Sequence, residues 1–143
     1  MKLDLGCADK KMKGYIGMDV RDWGQEIIRD IKRGIPYSND SFEEVYTSHF
    51  MEHIERGDEI YFVMSEVYRV LKNGGRFVIR VPHSDGRHAF YPDHLSYWNQ
   101  EMVSALINDK YQKYGDYNFN ILQNYDRMLG NVKELVVILE CKK

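Results

Sequence analysis

Short apolar runs separated by polar, turn-forming residues punctuate the chain, and one segment in its middle changes to a helical period. Residues 2–5 read as a strand that stops at Gly6, and residues 15–19 as a second strand ending on an acid. Nine residues separate Leu5 from Tyr15, too few for a full crossover helix, so the first connection is expected to be a loop or one helical turn. Residues 27–31 predict a third strand and 44–48 a fourth, with the turn formers Pro36-Tyr37-Ser38-Asn39-Asp40 between them. From Asp58 onward Ile60, Met64, Val67 and Leu71, joined by Val63 and Val70, recur at helical spacing. That helix is expected to be capped by Asp58, favoured at its end by Lys72 and stopped by Asn73-Gly74-Gly75. Phe77-Val78-Ile79 and Val81, ending at Pro82, read as a central parallel strand covered on both faces. Asn99 is placed to cap a second helix with a stripe of Met102, Val103, Leu106 and Ile107. Two final runs, 117–123 and 134–141, flank Gly130-Asn131 and predict a terminal antiparallel pair.

This alternation predicts an α/β fold over a single domain, 1–143, with a mostly parallel sheet, a terminal antiparallel pair and a shortened first crossover. A length of 143 residues suits one core and not two. The 20 Lys and Arg nearly balance 22 Asp and Glu, giving a net charge of −2, so no basic stripe is available to track a long nucleic acid. The apolar run 135–139 falls far short of the roughly 20 residues of a membrane span. Asp4 stands where a signal peptide would be apolar, and Cys7 and Cys141 make no disulfide framework; both features point to the cytoplasm. The sequence is silent on oligomeric state.

In open α/β sheets ligands bind beyond the carboxyl ends of the strands, so the residues there carry the chemistry. They are Gly6-Cys7-Ala8-Asp9, Asp19, Asp30 with Ile31, Ser48-His49 and His83. A loop of small residues lets backbone approach a ligand, and an acid ending the second strand accepts both hydroxyls of a ribose, so the pattern describes a nucleoside site. All five histidines fall within residues 49–94, and His49, His53 and His83 are candidate acid–base groups. With Glu52, Asp85 and Asp93 nearby, a metal reading arises, but the spacing is not that of a compact structural zinc site. The expectation is therefore no metal, with hydrogen-bonded loop histidines instead. The aromatic stretch 89–98 is expected to wall an acceptor pocket or to form a lid on the sheet edge.

Leu3-Asp4-Leu5-Gly6-Cys7 followed by Gly17-Met18-Asp19-Val20 resembles the first two motifs of class I S-adenosylmethionine-dependent methyltransferases. Asp30, Ile35-Pro36-Tyr37 and the run 40–46 are similar to the family's passage into the fourth strand. Ser48-His49-Phe50-Met51-Glu52-His53-Ile54 and Val70-Leu71-Lys72-Asn73-Gly74-Gly75-Arg76-Phe77 are similar to its next two signatures. The resemblance implies a Rossmann-like sheet, S-adenosylmethionine as cofactor and in-line methyl transfer to a small-molecule acceptor or a glycan-type intermediate. It implies that Asp4, Gly6, Cys7 and Ala8 form the first loop against the methionine part, and that Asp19 holds the ribose. Asp30 and Ile31 would then flank the adenine, and Ser48 and His49 close the site. Ala8 and Lys10 occupy places where the family usually has glycine, and the chain starts at its first strand, so a bulkier loop and an open site are expected. The alternative is a non-catalytic domain of the same fold that binds the cofactor or a partner. A nicotinamide enzyme is disfavoured because residues 6–11 lack the glycine spacing that lets backbone approach a pyrophosphate.

Overall fold

The computed structural model describes residues 1–109 and 115–143. The strands are β1 (Lys2–Leu5), β2 (Ile16–Asp19), β3 (Ile27–Ile28), β4 (Phe42–Ser48), β5 (Leu71–Pro82), β6 (Phe119–Leu129) and β7 (Val132–Cys141). They form one sheet in the order β3-β2-β1-β4-β5-β7-β6, parallel except for β7, which runs antiparallel to both β5 and β6. The expected parallel sheet with a terminal antiparallel pair is the fold found, and that pair is longer than its apolar runs, turning at Gly130 with φ 62°.

Cross-strand register decides which side chains share a face. Leu3, Val45, Phe77 and Leu139 are successive partners, as are Ile79 with Val137 and Val81 with Leu135. These residues form one buried cluster with Ile60, Val63, Met64, Val67 and Val70 of α1 (Asp58–Val70) and with Val103 and Leu106 of α2 (Gln100–Asn108). The alternate positions, Tyr46, Val78, Arg80 and Ile138, lie on the other face and are only half-buried. The expectation that β5 is covered on both faces is therefore corrected. The crossovers before β4 contain only two short 3₁₀ turns, Ala8–Lys10 and Ile31–Arg33, so no α-helix from them covers that second face. Over β1 and β2 the first loop does so instead. Asp4 accepts a hydrogen bond from Met12 N at 2.7 Å, and a Cβ on Gly17 would stand 2.7 Å from the Lys11 side chain.

Three local expectations are also corrected. The third strand is two residues long, because Asp30 leaves it to cap the 3₁₀ turn, accepting from Lys32 N at 2.9 Å. Gly57, at φ 85°, occupies the cap position of α1, and Asp58 is its first helical residue, favourable there to the helix dipole. The helix ends at Val70, and Asn73-Gly74-Gly75 lies inside β5, where the register with β4 shifts between Phe42 and Glu44. Asn99 caps α2 as expected, accepting from Met102 N at 2.8 Å.

Candidate functional site

A cavity of about 520 Å³ opens beyond the carboxyl ends of β1, β2 and β4. Leu5 borders it from the end of β1 and Gly6 from the loop that follows, Met18 and Asp19 from β2, Asp30 and Ile31 from the segment after β3, and His49 and Phe50 from the loop after β4. The size falls in the range of small-molecule sites.

The first loop is shaped by backbone geometry. Gly6 has φ 71°, and a Cβ there would lie 2.2 Å from the Phe50 ring, so only glycine fits. Gly6 N donates to the Met18 carbonyl at 2.8 Å, and Ala8 N, from a residue at φ 45°, donates to Asp19 Oδ2 at 3.1 Å. Asp19 Oδ1 accepts from Arg21 N at 2.9 Å. One carboxylate thus clamps the loops after β1 and β2, and each of its oxygens keeps lone-pair capacity beside the cavity.

Other sequence candidates fall elsewhere. Asp4 is buried beneath the first loop, where burial raises its carboxyl above the usual range, and it does not border the cavity. Cys7 is buried too; burial, with the nearby Asp4 and Asp19 charges, pushes its thiol up to about 11. Ser48 lies in β4 opposite Arg80, outside the cavity wall. His83 is buried with both ring nitrogens engaged, Nε2 by Gln100 Oε1 at 2.9 Å and Nδ1 by Asp85 N at 3.0 Å; it ties β5 to α2 and does not border the cavity. A strand-end position in sequence does not reveal which face of the sheet a side chain takes.

His49 is held by partners remote in sequence. Its φ is 54°, and its Nε2 lies 3.1 Å from Oε1 of Glu134, which is fully buried in β7. Burial would raise the Glu134 carboxyl, but Arg80, 3.0 Å from Oε1, and Arg127, 2.9 Å from Oε2, hold it below the usual range. Burial lowers the His49 imidazole, and the Glu134 carboxylate offsets this only in part. With Glu134 as acceptor, Nε2 carries the proton and Nδ1 is bare.

The 3₁₀ turn Met51–His53 is pinned to the segment after β5. The Glu52 carbonyl accepts from Leu95 N at 2.7 Å and Ser96 N at 3.1 Å, and Ser96 Oγ donates to the Met51 carbonyl at 3.1 Å. These bonds bring Asp93 and Leu95 to the cavity beside His53. His49 and His53 therefore share the site, brought together by this turn. The Glu52 side chain is buried beneath them; burial, followed by the charges of Asp93 and Glu134, pushes its carboxyl up to about 8. Of the aromatic stretch, Phe90 and Tyr97 stack on each other at 5.2 Å and are not part of the cavity wall. Sequence reasoning missed Phe50, Arg21 and Trp23 as wall residues. Phe50 had a signal only in its place within the segment after β4.

Residues 8–79 match a family model described as a methyltransferase domain. No curated protein matches the chain in sequence. Among solved structures it is similar to a S-adenosylmethionine-dependent methyltransferase from Methanosarcina mazei, with TM-score 0.73 and 15% identity over 99% of this chain and 92% of that one. It is also similar to the Burkholderia thailandensis 1,6-didemethyltoxoflavin-N1-methyltransferase, solved with bound 1,6-didemethyltoxoflavin and S-adenosylhomocysteine (TM-score 0.72, 14% identity, 99% and 71% covered). A third is a methyltransferase from Archaeoglobus fulgidus, with TM-score 0.67, 15% identity, and 97% and 85% covered. The cavity fits the cofactor these names share: a glycine-shaped loop, an acid with spare lone pairs and the apolar side chains of Leu5, Met18 and Ile31 meet on it. By its family match, its sheet order and the placing of this cavity, the chain belongs to the class I S-adenosylmethionine-dependent methyltransferases, and its cofactor is S-adenosylmethionine.

Proposed function

We propose that this chain is an active enzyme that transfers the methyl group of S-adenosylmethionine to a small-molecule acceptor or glycan-type intermediate. The observation that carries the reading is the pairing, on one cavity wall, of Asp19 with the two imidazoles His49 and His53. Asp19 accepts the ribose hydroxyls on lone pairs that Ala8 and Arg21 leave free. Gly6 and Ala8 lie under the methionine part, and Asp30 and Ile31 flank the adenine. Bound cofactor supplies an electrophilic methyl group, so the protein needs no covalent nucleophile and mainly holds the acceptor aligned. Where the acceptor must lose a proton, the bare Nδ1 of His49 takes it, and Glu134 stabilises the imidazolium that forms. The lack of a basic stripe supports a small acceptor over a long nucleic acid.

The alternative, a module that binds cofactor without turnover, draws on one observation: the N–H groups of Gly6, Cys7 and Ala8 are all bonded within the protein. Incubation with methyl-labelled S-adenosylmethionine and fractionated cell extract separates the two. Label in the low-molecular-weight fraction, reduced at least about tenfold in His49→Ala, is expected, since a positioned base contributes about 10²–10⁴-fold. Tight cofactor binding with no label transferred to any fraction would favour the module.

A further inference from the structure

The turn after β4 gathers three imidazoles around one buried carboxylate. Glu52 is 2% exposed, and its Oε2 has no hydrogen-bond partner among the described residues. Its Oε1 lies 3.6 Å from His49 Nδ1 and 4.0 Å from His53 Nε2. One ligand atom each from Glu52, His53 and His94 fall within 4.8 Å of one another. The His53 and His94 rings meet edge to face at 4.9 Å.

The rings are also oriented. His53 Nδ1 faces the Asp93 carbonyl oxygen at 3.1 Å, and His94 Nδ1 faces the Ala89 carbonyl oxygen at 3.1 Å. A carbonyl oxygen only accepts, so each Nδ1 carries the proton and each Nε2 presents a bare lone pair. His49 repeats the arrangement with its nitrogens exchanged, Nε2 against Glu134 and Nδ1 bare. A ring N–H tied to an oxygen, with the opposite nitrogen bare, is how metal-ligating histidines are held. A neutral Glu52 offers these acceptors one proton and lies 3.6 Å and 4.0 Å from the nearest of them, beyond hydrogen-bond distance; with Glu52 ionised, acceptors face acceptors and a cation satisfies them together.

We infer that Glu52, His53 and His94 bind a divalent transition-metal ion, through the Glu52 carboxylate and the two Nε2 atoms, with His49 Nδ1 left free beside them at the cofactor cavity. The mixed nitrogen and oxygen set fits zinc, cobalt(II) or iron(II), and not calcium or magnesium, which take oxygen ligands. Tetrahedral zinc bonds of about 2.0–2.2 Å place donors about 3.4 Å apart, so three donors now within 4.8 Å of one another close by up to about 1.4 Å on binding. Ligand spacing along the chain sets a metal aside, but the cluster is assembled by the loop that brings His94 onto residues 51–53, a contact that such spacing does not encode. His53 and Asp93 border the cavity, so the ion's open positions face it. On the methyl-transfer reading, on which this clause alone rests, those positions select an acceptor that ligates through an anionic oxygen.

Chelator-treated protein titrated with Co²⁺ tests the site by its visible absorption, with Zn²⁺ added afterwards as competitor. Circular dichroism of the same samples reports folding, and calorimetry with S-adenosylhomocysteine reports the cofactor site separately. One Co²⁺ per chain, displaced by Zn²⁺ and bound at least about tenfold more weakly in both Glu52→Gln and His53→Ala, is the expected result. His53 is half-exposed, so its variant is expected to fold. Folded protein that gives no stoichiometric absorption, or Co²⁺ binding unchanged in both variants, would overturn the site. Metal binding without S-adenosylhomocysteine binding would instead count against the cofactor reading and leave the metal site standing.

Discussion

Gly6 and Asp19 lie on opposite sides of one clamp, and their identities follow from different causes. Gly6 is fixed by conformation, since its φ of 71° and the Phe50 ring exclude a side chain. A Gly6→Ala variant should lose about 1–2 kcal/mol from the left-handed backbone alone, and more from displacing Phe50, as read by urea unfolding. Wild-type stability in that variant would mean that the loop relaxes freely. Cys7, next in the chain, was legible as part of the loop but not as buried. Its thiol, pushed up to about 11 by burial and by Asp4 and Asp19, should resist alkylation at pH 8 until the protein unfolds. Rapid labelling of native protein at that pH would place Cys7 at the surface. Asp19, Asp30, Ile31 and His49 were found from the sequence because strand ends mark the ligand side of such sheets. Glu134, some 85 residues from His49, carried no signal there, because only the register of β5 with β7 brings it in.

At the scale of elements, Glu134 joins three strands. It stands in β7, pairs with Arg80 of β5 and with Arg127 of β6, and is fully buried. Glu134→Ala leaves two partly exposed guanidinium groups without their carboxylate, and a loss of about 1.5–3 kcal/mol is expected in chemical denaturation, the scale of hydrogen bonds to a charged group. A loss below about 1 kcal/mol would show that water satisfies those groups. Helix α2 was legible to its cap because Asn99 and the apolar stripe agree, and Asn99→Ala should cost about 1 kcal/mol of stability, measured the same way. The end of α1 was less legible. Asn73-Gly74-Gly75 carries the signature of a helix stop, yet the chain had already left the helix at Leu71 to pair with Phe42. Tertiary pairing overrode the local signal.

Across the whole molecule, one face of the sheet holds the apolar core under α1 and α2, while the other is mixed over β4, β5 and β7, half-buried at Tyr46, Val78, Arg80 and Ile138 and buried at Glu134 and Val136. The apolar run of β5 hid this asymmetry, since Val78 alternates with core positions and reads as interior. Hydrogen exchange should follow the layout: amides of β1, β4, β5 and β7, paired on both sides, should be the slowest, and those of the two-residue β3 at the sheet edge fast. The same layout places every cavity-lining loop at one end of the parallel strands, where Asp19 bridges the first two. The most direct test is isothermal titration of the folded protein with S-adenosylhomocysteine, alongside Asp19→Ala. Binding of one ligand per chain, weakened in the variant by about 1–3 kcal/mol, the scale of a charge-assisted hydrogen bond, is the predicted result. No binding by well-folded protein, or an affinity untouched by the loss of Asp19, would contradict the account.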